Sequence, residues 1–543
     1  MKKYSIYLIT ITVMLLGTSC NDFLLPEPTD RYSENVAFSS ETNAKLYVNS
    51  FYPILNHYGL FGSAYIGGNM YTDGLTDIMK TAGSTIGSNG ASANIYATNP
   101  SLITPDQNSL DIWSNAYYYI RLINEFLTGL EKSSLPATAK TNLSAEARFF
   151  RGYLYFLLMR NHGSVIALTE LTTTPNNPRT TEAEGWDVVQ ADLDYAAKNL
   201  QAVATDVGRI TKGAAYAMQS RAMLYAQRWQ AAYDAAVEVE ELDTYSLNPA
   251  YQSAFGSYFN GNKEAILEFR YSFPQLTHSF DAIVSPGGDD NLYQFGGDVQ
   301  PTQELVELYE KAGGGKVNWD AWHGDIIAST PPWATLEPRF HATVLYNGAT
   351  WKGRTIETFV NGRDGWTAYP PAGGSNRGAS VTGYFLRKNL DEGHADLVNI
   401  ASAQTLVEIR LAEVYLNFAE AAYHLDKITD ANKALKEVRG RVGLPELNLS
   451  GASLLAQIKK ERTIELAGEG QHYWDLRRWK DAESTLTGKY VHGIKITGEA
   501  NSFRYTYIRC DDTPRQFPAK LYSFPIQSSE LINNPACKQI QGW

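Results

Sequence analysis

The sequence predicts a mainly α protein that carries a loop-rich face. Three observations lead there. Helical periodicity dominates a block from about residue 40 to 240 and returns in two shorter blocks near 408–441 and 453–466. Alanine-rich helical hairpins of matching size occur in the first and second blocks. Between and before them lie two long stretches, about 60–110 and 245–400, with the Gly, Ser, Asn, Pro and Trp texture of loops.

The chain opens MKKYSIYLITITVMLLGTSC. Lys2 and Lys3 form a positive start, Tyr4 to Leu16 an apolar run, and Gly17, Thr18 and Ser19 a small-residue site before Cys20. This is the layout of a secretory signal, 1–19, cut at a lipidated cysteine. The run is shorter than the roughly twenty apolar residues that span a bilayer. Gly17 stands where such signals usually place Leu. Residues 20–35 then read as the lipidated Cys20 and a polar, Pro-bearing tether. The remaining 36–543 is expected to be one domain, with insertions at about 60–110 and 245–400.

Within the first block, Ser144 to Phe156 reads as a buried helix. Thr181 to Leu200 is amphipathic, with Trp186, Val189, Leu193, Ala196 and Leu200 on one face. Thr211–Tyr225 and Trp229–Glu240 form one hairpin; Glu408–Leu425 and Thr429–Arg441 repeat it. Repeated hairpins of this length indicate TPR-like units. Ser453 to Leu466 is a further helix, started at Ser453 and ended by Gly468 and Gly470. The stretch 245–400 holds Trp319, Trp322, Trp333, Trp351 and Trp366. That aromatic content opposes disorder and points to a functional face.

The formal charge of −11 becomes −13 once the two leader lysines are removed. An acidic body disfavours nucleic acid as a partner. Cys510 and Cys537 are the only cysteines after Cys20; the sequence allows either a bridge or two buried thiols. Aromatic residues make up 12% of the chain, with 34 Tyr and 11 Trp, side chains that suit both helix seams and sugar stacking.

Catalytic patterns are absent. Gly313-Gly314-Gly315-Lys316 fails as a phosphate loop because Val317 replaces Ser/Thr and Glu310 the first glycine. Gly83-Ser-Thr85-Ile-Gly87 has Thr at the nucleophile position. The nine histidines include no pair at metal-ligand helical spacing. Asp73/Asp77 and Asp289-Asp290 read as solvated turns before they read as metal ligands. No cofactor is indicated, and a structural calcium ion stays open.

Several blocks resemble one family. Glu408 to Ala421 (EIRLAEVYLNFAEA) and Glu461 to Trp479 (ERTIELAGEGQHYWDLRRW) resemble signature helices of the SusD/RagB family. Ala145–Tyr153, Gly208–Ala215, Leu336–Phe340, Thr382–Lys388 and Phe524–Pro535 are similar to it in the same order. Arg410, Glu413, Glu420, Glu461, Arg462, Glu465, Asp475, Arg477 and Arg478 stand among apolar residues in these blocks, so interhelical ion pairs are expected.

The resemblance implies a right-handed superhelix of four TPR-like pairs. It also implies a non-catalytic lipoprotein on the outer face of the outer membrane, which captures oligosaccharide for a SusC-like TonB-dependent β-barrel. A peptide ligand, a mainly structural lid and a surface glycosidase are the other readings. Flat aromatics with nearby polar groups suit sugars. On that basis the expected contacts are Tyr71, Asp73, Tyr96, Tyr293, Trp319, Trp322 and Trp333, with Tyr71, Asp73, Trp319 and Trp322 as the central cluster.

Overall fold

The structure, a computed structural model, describes residues 34–62, 72–82, 93–204, 206–255, 261–289, 296–324, 326–368, 378–499 and 502–543. Cys20, Tyr71, Tyr293 and the Gly83–Gly87 motif lie outside the described residues.

The helices that build the scaffold are α1 (Glu41–Asn49), α2 (Trp113–Lys132), α3 (Ala137–His162), α4 (Glu182–Asn199), α5 (Lys212–Tyr225), α6 (Trp229–Glu241), α7 (Gln303–Leu308), α8 (Leu411–His424), α9 (Ile428–Gly440), α10 (Gly451–Glu465) and α11 (His472–Arg478). They stack largely in chain order: α2 packs on α3, α3 on α4, α4 on α5, α5 on α6, α6 on α8, and α8 on α9 and α10. Helix α3 is apolar nearly all round from Ala145 to Met159 and is buried accordingly. Helix α4 begins at a capping box in which Thr181 and Glu184 satisfy each other's backbone N–H. The two alanine-rich hairpins, α5/α6 and α8/α9, meet through Trp229 stacked on His424 at 3.9 Å and Tyr233 on Phe418 at 4.7 Å.

Among the described residues, five two-stranded antiparallel sheets are attached to this stack, one of them the short pair Thr350–Trp351 with Arg354–Thr355. The named strands are β1 (Met79–Thr81), β2 (Ala265–Phe269), β3 (Val299–Pro301), β4 (Val344–Tyr346), β5 (Tyr384–Leu386), β6 (Leu406–Arg410), β7 (His492–Thr497) and β8 (Arg504–Arg509). The pairs are β1 with β3, β2 with β6, β4 with β5, and the hairpin β7–β8. The main apolar core cluster runs from Ala44 to Ile540; a smaller one fills the seam of α8, α9 and α10 around Leu416, Leu435 and Leu454, and a third gathers Tyr251, Phe255, Ala342 and Val442.

Two boundaries differ from the sequence expectation. Glu408 to Arg410 is strand, not helix: Leu406 and Ile409 are buried where β6 pairs with β2, and the helix starts at Leu411. Helix α10 starts at Gly451 after Ser450, two residues before Ser453. Cys510 and Cys537 are separate buried thiols, and Cys510 Sγ donates to the Val381 carbonyl at 3.3 Å.

The expected ion pairs are present, with one exception. Arg221 of α5 reaches Glu408 at 2.8 Å and Glu413 at 2.7 Å, joining the first hairpin to the second. Arg478 pairs with Glu420 and Asp475, and Arg462 with Asp475. Arg339, Arg410, Arg439 and Arg441 converge on Glu264, Glu461 and Glu465, all nearly without solvent contact. Arg477 instead donates to the Asn161 and Tyr522 carbonyls and lies 4.3 Å from the Phe524 ring centre. Buried charges persist only with such partners.

Candidate functional site

The hairpin β7–β8 presents an aromatic surface. Successive strand side chains alternate between faces, so Tyr505 and Tyr507 share one. Tyr505 points inward and is 4% exposed, with its ring 5.9 Å from that of Trp333. Tyr507, two residues on, is half-buried and carries a histidine ring on either count: His492 stacks at 4.5 Å and 12°, and His323 lies at 4.5 Å and 35°.

Helix α7 supplies the polar partners. Glu304 and Glu307, three residues apart, fall on one helix face. Glu304 accepts the backbone N–H of His492 at 2.9 Å, and its other oxygen lies 2.6 Å from His492 Nδ1. Glu307 lies 2.7 Å from His323 Nε2. The four side chains are between 23% and 35% exposed, so both pairs are at the surface.

The loop between α7 and β4 completes the surface. A short 3-10 turn, Asp320–Trp322, sets Trp322 against Trp319 with ring centres 5.9 Å apart. Trp322 Nε1 donates to the Ser329 carbonyl at 3.1 Å, which fixes its ring plane. The loop is tied to the hairpin by reciprocal backbone bonds between Ile327 and Tyr505, 2.9 and 2.8 Å.

The hairpin itself is held by close backbone approach. Ile494 N–H donates to the Thr382 carbonyl at 2.8 Å, beside Gly383 and Gly493. A Cβ on Gly493 would overlap the Thr382 carbonyl, and one on Gly383 the Ile494 carbonyl; Gly383 also has φ +85°. Beneath, the Tyr384 hydroxyl accepts from Trp333 Nε1 at 3.2 Å and donates to Gln303 at 2.6 Å, linking β5 to α7.

Of the expected contact residues among the described ones, Trp322 alone is not buried; it is half-buried. Trp319 is 5% exposed and Trp333 1%. Tyr96 is 3% exposed, its hydroxyl accepting the Ser109 N–H at 3.2 Å. Asp73 is fully buried and accepts three backbone N–H groups, from Gly468 at 3.1 Å, Gly470 at 3.0 Å and His472 at 3.2 Å. A ligand reaches these four only if surrounding loops move. Large aromatics fill cores as readily as they face ligands.

Asp73 anchors the turn between α10 and α11. Burial pushes its carboxyl up to about 6, against the charged-form support of His472 and the three N–H donors. Burial disfavours a charged His472, but Asp77, 3.0 Å away, and Asp73 more than offset this and raise its pKa. Neither Asp73 nor Asp289 sits in a solvated turn. Asp289 is 5% exposed and bound by Arg354 and Trp351 Nε1, while Asp290 lies outside the described residues. Among the described residues no set of three His, Cys, Asp or Glu side chains is placed to hold a metal ion.

Tyr507, His323, His492, Glu304 and Glu307 were not expected from the sequence. One signal was available: Arg-Tyr-Thr-Tyr-Ile-Arg (504–509) alternates as a half-buried strand does. His492 comes from the paired strand of the same hairpin, whereas His323, Glu304 and Glu307 come from segments about 180 to 200 residues away, and no spacing rule connects those.

Comparison with known proteins gives a consistent picture. A family model described as "SusD family" matches residues 263–543, and one described as "Starch-binding associating with outer membrane" matches 34–224. A SusD-like protein of Bacteroides ovatus is 24% identical over 400 residues, covering 69% of this chain and 66% of that protein, just under two thirds. SusD-like protein P25 of Formosa agariphila is 23% identical over 491 residues, 85% of this chain and 87% of that one. A solved SusD-like protein from Bacteroides fragilis is 27% identical with a TM-score of 0.81, covering 94% of this chain and 99% of that chain. A laminarin-binding SusD-like protein shares the fold at 22% identity and a TM-score of 0.66, over 92% of this chain and 99% of that chain.

Proposed function

The chain belongs to the SusD family, and from that premise we propose that it is a glycan-capture lipoprotein of the outer membrane. The observation that carries the ligand class is the partly exposed strip of Trp322, His323, Tyr507 and His492 beside the carboxylates of Glu304 and Glu307. Flat rings cover the apolar faces of a pyranose, and carboxylates accept from its hydroxyls. Family relatives supply support: one solved structure is named a SusD-like carbohydrate binding protein, another a laminarin-binding one. Tyr71 and Tyr293 are further proposed contacts from the loops at 60–110 and 245–400.

In this reading residues 1–19 are removed, Cys20 is lipidated, residues 20–35 tether the body outside the cell, and 36–543 act as one domain. The partner is a SusC-like TonB-dependent β-barrel that receives the glycan. In this reading the protein performs no chemistry on its ligand: the strip offers stacking and hydrogen bonding, and its two carboxylates, Glu304 and Glu307, are each held by a histidine.

The test is calorimetry and affinity electrophoresis of the soluble body with laminarin, starch, xylan and mannan, and with a mixed peptide digest. Binding of at least one glycan, weakened by Trp322→Ala, is expected. Tight peptide binding with no glycan binding overturns the glycan reading. Release of reducing sugar from a bound glycan overturns the non-catalytic one.

A further inference from the structure

Asp77 joins two helices that are far apart in the chain. Its side-chain Oδ1 lies 3.0 Å from Nε2 of His472, the first residue of α11. Its backbone carbonyl accepts from Thr302 Oγ1 at 2.6 Å, and the next carbonyl, of Ile78, accepts the Thr302 N–H at 3.1 Å. Thr302 is the N-cap of α7, with its Oγ1 accepting the Leu305 N–H at 3.4 Å. The seat of α7 is therefore bonded to the residue that pairs with His472.

Hydrogen bonding assigns the charge of His472. Its Nδ1 lies 3.4 Å from Thr463 Oγ1, and that hydroxyl already donates to the Lys459 carbonyl at 2.9 Å. Thr463 can then only accept from the ring, so Nδ1 carries a proton. Nε2 faces a carboxylate, which when ionised also only accepts, so Nε2 carries one too. Both bonds exist together only with the imidazolium, and a neutral ring gives up one of them. His472 is 6% exposed and the Asp77 side chain 30%, so protons reach the pair from the Asp77 end.

The charges around the pair favour the same state. Asp77 and Asp73 face the ring from the 72–82 segment, and Asp475 faces it from α11 itself. Asp475 is paired with Arg462 of α10 and with Arg478. Arg515 braces the segment through the Gly74, Thr76 and Met79 carbonyls and is itself paired with Asp511, which also holds Lys80. Burial opposes a charged His472, but the three carboxylates outweigh it and raise its pKa. Burial likewise opposes a charged Asp77, but His472 and Arg515 hold its carboxyl below the usual range.

We propose that His472 and Asp77 form a pH-sensitive latch on α7, closed in mild acid and loosened in mild alkali. A histidine raised in the fold contributes stability below its ordinary value and loses it as pH climbs through the folded one. Deprotonation then leaves a neutral ring between two carboxylates. Asp73 stands outside the latch, because its three N–H donors hold the α10–α11 turn in either state. Helix α7 carries Glu304 and Glu307, so the latch also sets the footing of the strip's carboxylates. That consequence rests on the glycan reading; the latch does not.

Hydrogen-exchange mass spectrometry of the soluble body without ligand tests it, at about pH 6 and about pH 8.5 with rates corrected for intrinsic exchange. Peptides covering 77–82 and 302–308 are expected to lose protection about threefold or more at the higher pH, while those from α3 and α8 do not change. The loss is expected to vanish in His472→Gln, whose amide donates to Asp77 at any pH, and in Asp77→Asn, which bonds a neutral ring. The His472 Cε1–H resonance, identified by its absence in His472→Gln, should titrate above the ordinary histidine value, and lower in Asp77→Asn. Three results overturn the latch: no loss of protection, an equal loss in both variants, or a His472 resonance titrating at or below the ordinary value. None of these measurements involves a glycan, so the latch and the glycan reading fail separately.

Discussion

Arg410 Nη1 donates to Glu465 Oε1 at 2.7 Å, with the two side chains 1% and 0% exposed. Arg410 closes β6 and Glu465 closes α10, so this pair fixes the second hairpin to the helix behind it. Arg339 and Arg441 bind the same carboxylate, and Lys388 donates to the Glu465 backbone carbonyl. The Glu465→Ala change leaves three buried guanidinium groups short of charge. Breaking a buried pair costs about 3–5 kcal/mol, and the shared carboxylate puts this site at the upper end. Urea denaturation should show that loss; a cost below about 1 kcal/mol would mean that the cluster is solvated.

Acid should unfold the protein mainly below pH 4. Burial alone would raise the Glu465 carboxyl, but Arg441, Arg410 and Arg339 hold it well below the usual range. Asp511, opposed by burial but held by Arg515 and Lys80, lies at about 2. Carboxyls depressed in the fold contribute stability above their unfolded value, near 4, and lose it as pH falls toward the folded value. Between pH 6.5 and 4 two further effects oppose each other. Burial lowers His162 to about 3 and His278 to about 4, so acid disfavours the fold there. Burial raises Asp73 and Asp111 to about 6, so the folded state takes up their protons first and gains. The urea midpoint is expected to be nearly flat from pH 6.5 to 4.5 and to drop steeply below 4. A steep loss centred on pH 6 would refute this balance.

The helical scaffold was legible in the sequence because its signals are local. Thr181 and Glu184 spell a capping box, and Ala214, Ala217 and Ala222 mark a close-packed helix. The ion pairs were legible as a class, since charges inside apolar blocks need partners. Their pairings were not: Arg339 meets Glu461 from 122 positions away. The site was the least legible part. Trp333 and Tyr96 look like ligand platforms in a loop-textured stretch, yet they fill the interior. Tyr507 becomes a platform only because His323, His492 and α7 converge on it.

Two substitutions separate ligand contact from scaffold. Trp322→Ala removes a half-buried ring and is expected to weaken glycan binding at least tenfold, about 1.4 kcal/mol, with a smaller loss of Tm than Asp73→Ala. Asp73→Ala strands three buried N–H groups and should destabilise by about 3 kcal/mol, while the protein that remains folded binds glycan normally. The reverse pattern would return Asp73 to the binding surface.

Cys510 and Cys537 should behave as inert thiols. Both are buried and unbridged, and burial raises the Cys510 thiol far above its ordinary value. A thiol reagent is expected to count none in the folded Cys20→Ser body and two in denaturant, with no effect of reductant on mobility. A count of zero in denaturant would reveal a disulfide.

The hairpin's position, not only its residues, should control the ligand surface. Gly493 passes the Thr382 carbonyl too closely for any side chain, and the obstructing atoms are all Thr382 backbone. Gly493→Ala must therefore push β7 outward, carrying His492 away from Glu304 and Tyr507 away from His323. Overpacking of this kind costs about 1–3 kcal/mol. Glycan affinity is expected to fall about tenfold or more at a temperature where the variant is fully folded. Arg504→Ala serves as the control, because that side chain is exposed on the same hairpin and bonds only to the carbonyls of Ser502 and Phe503. If Gly493→Ala binds glycan as tightly as Arg504→Ala, the strip on β7–β8 is not where the glycan sits.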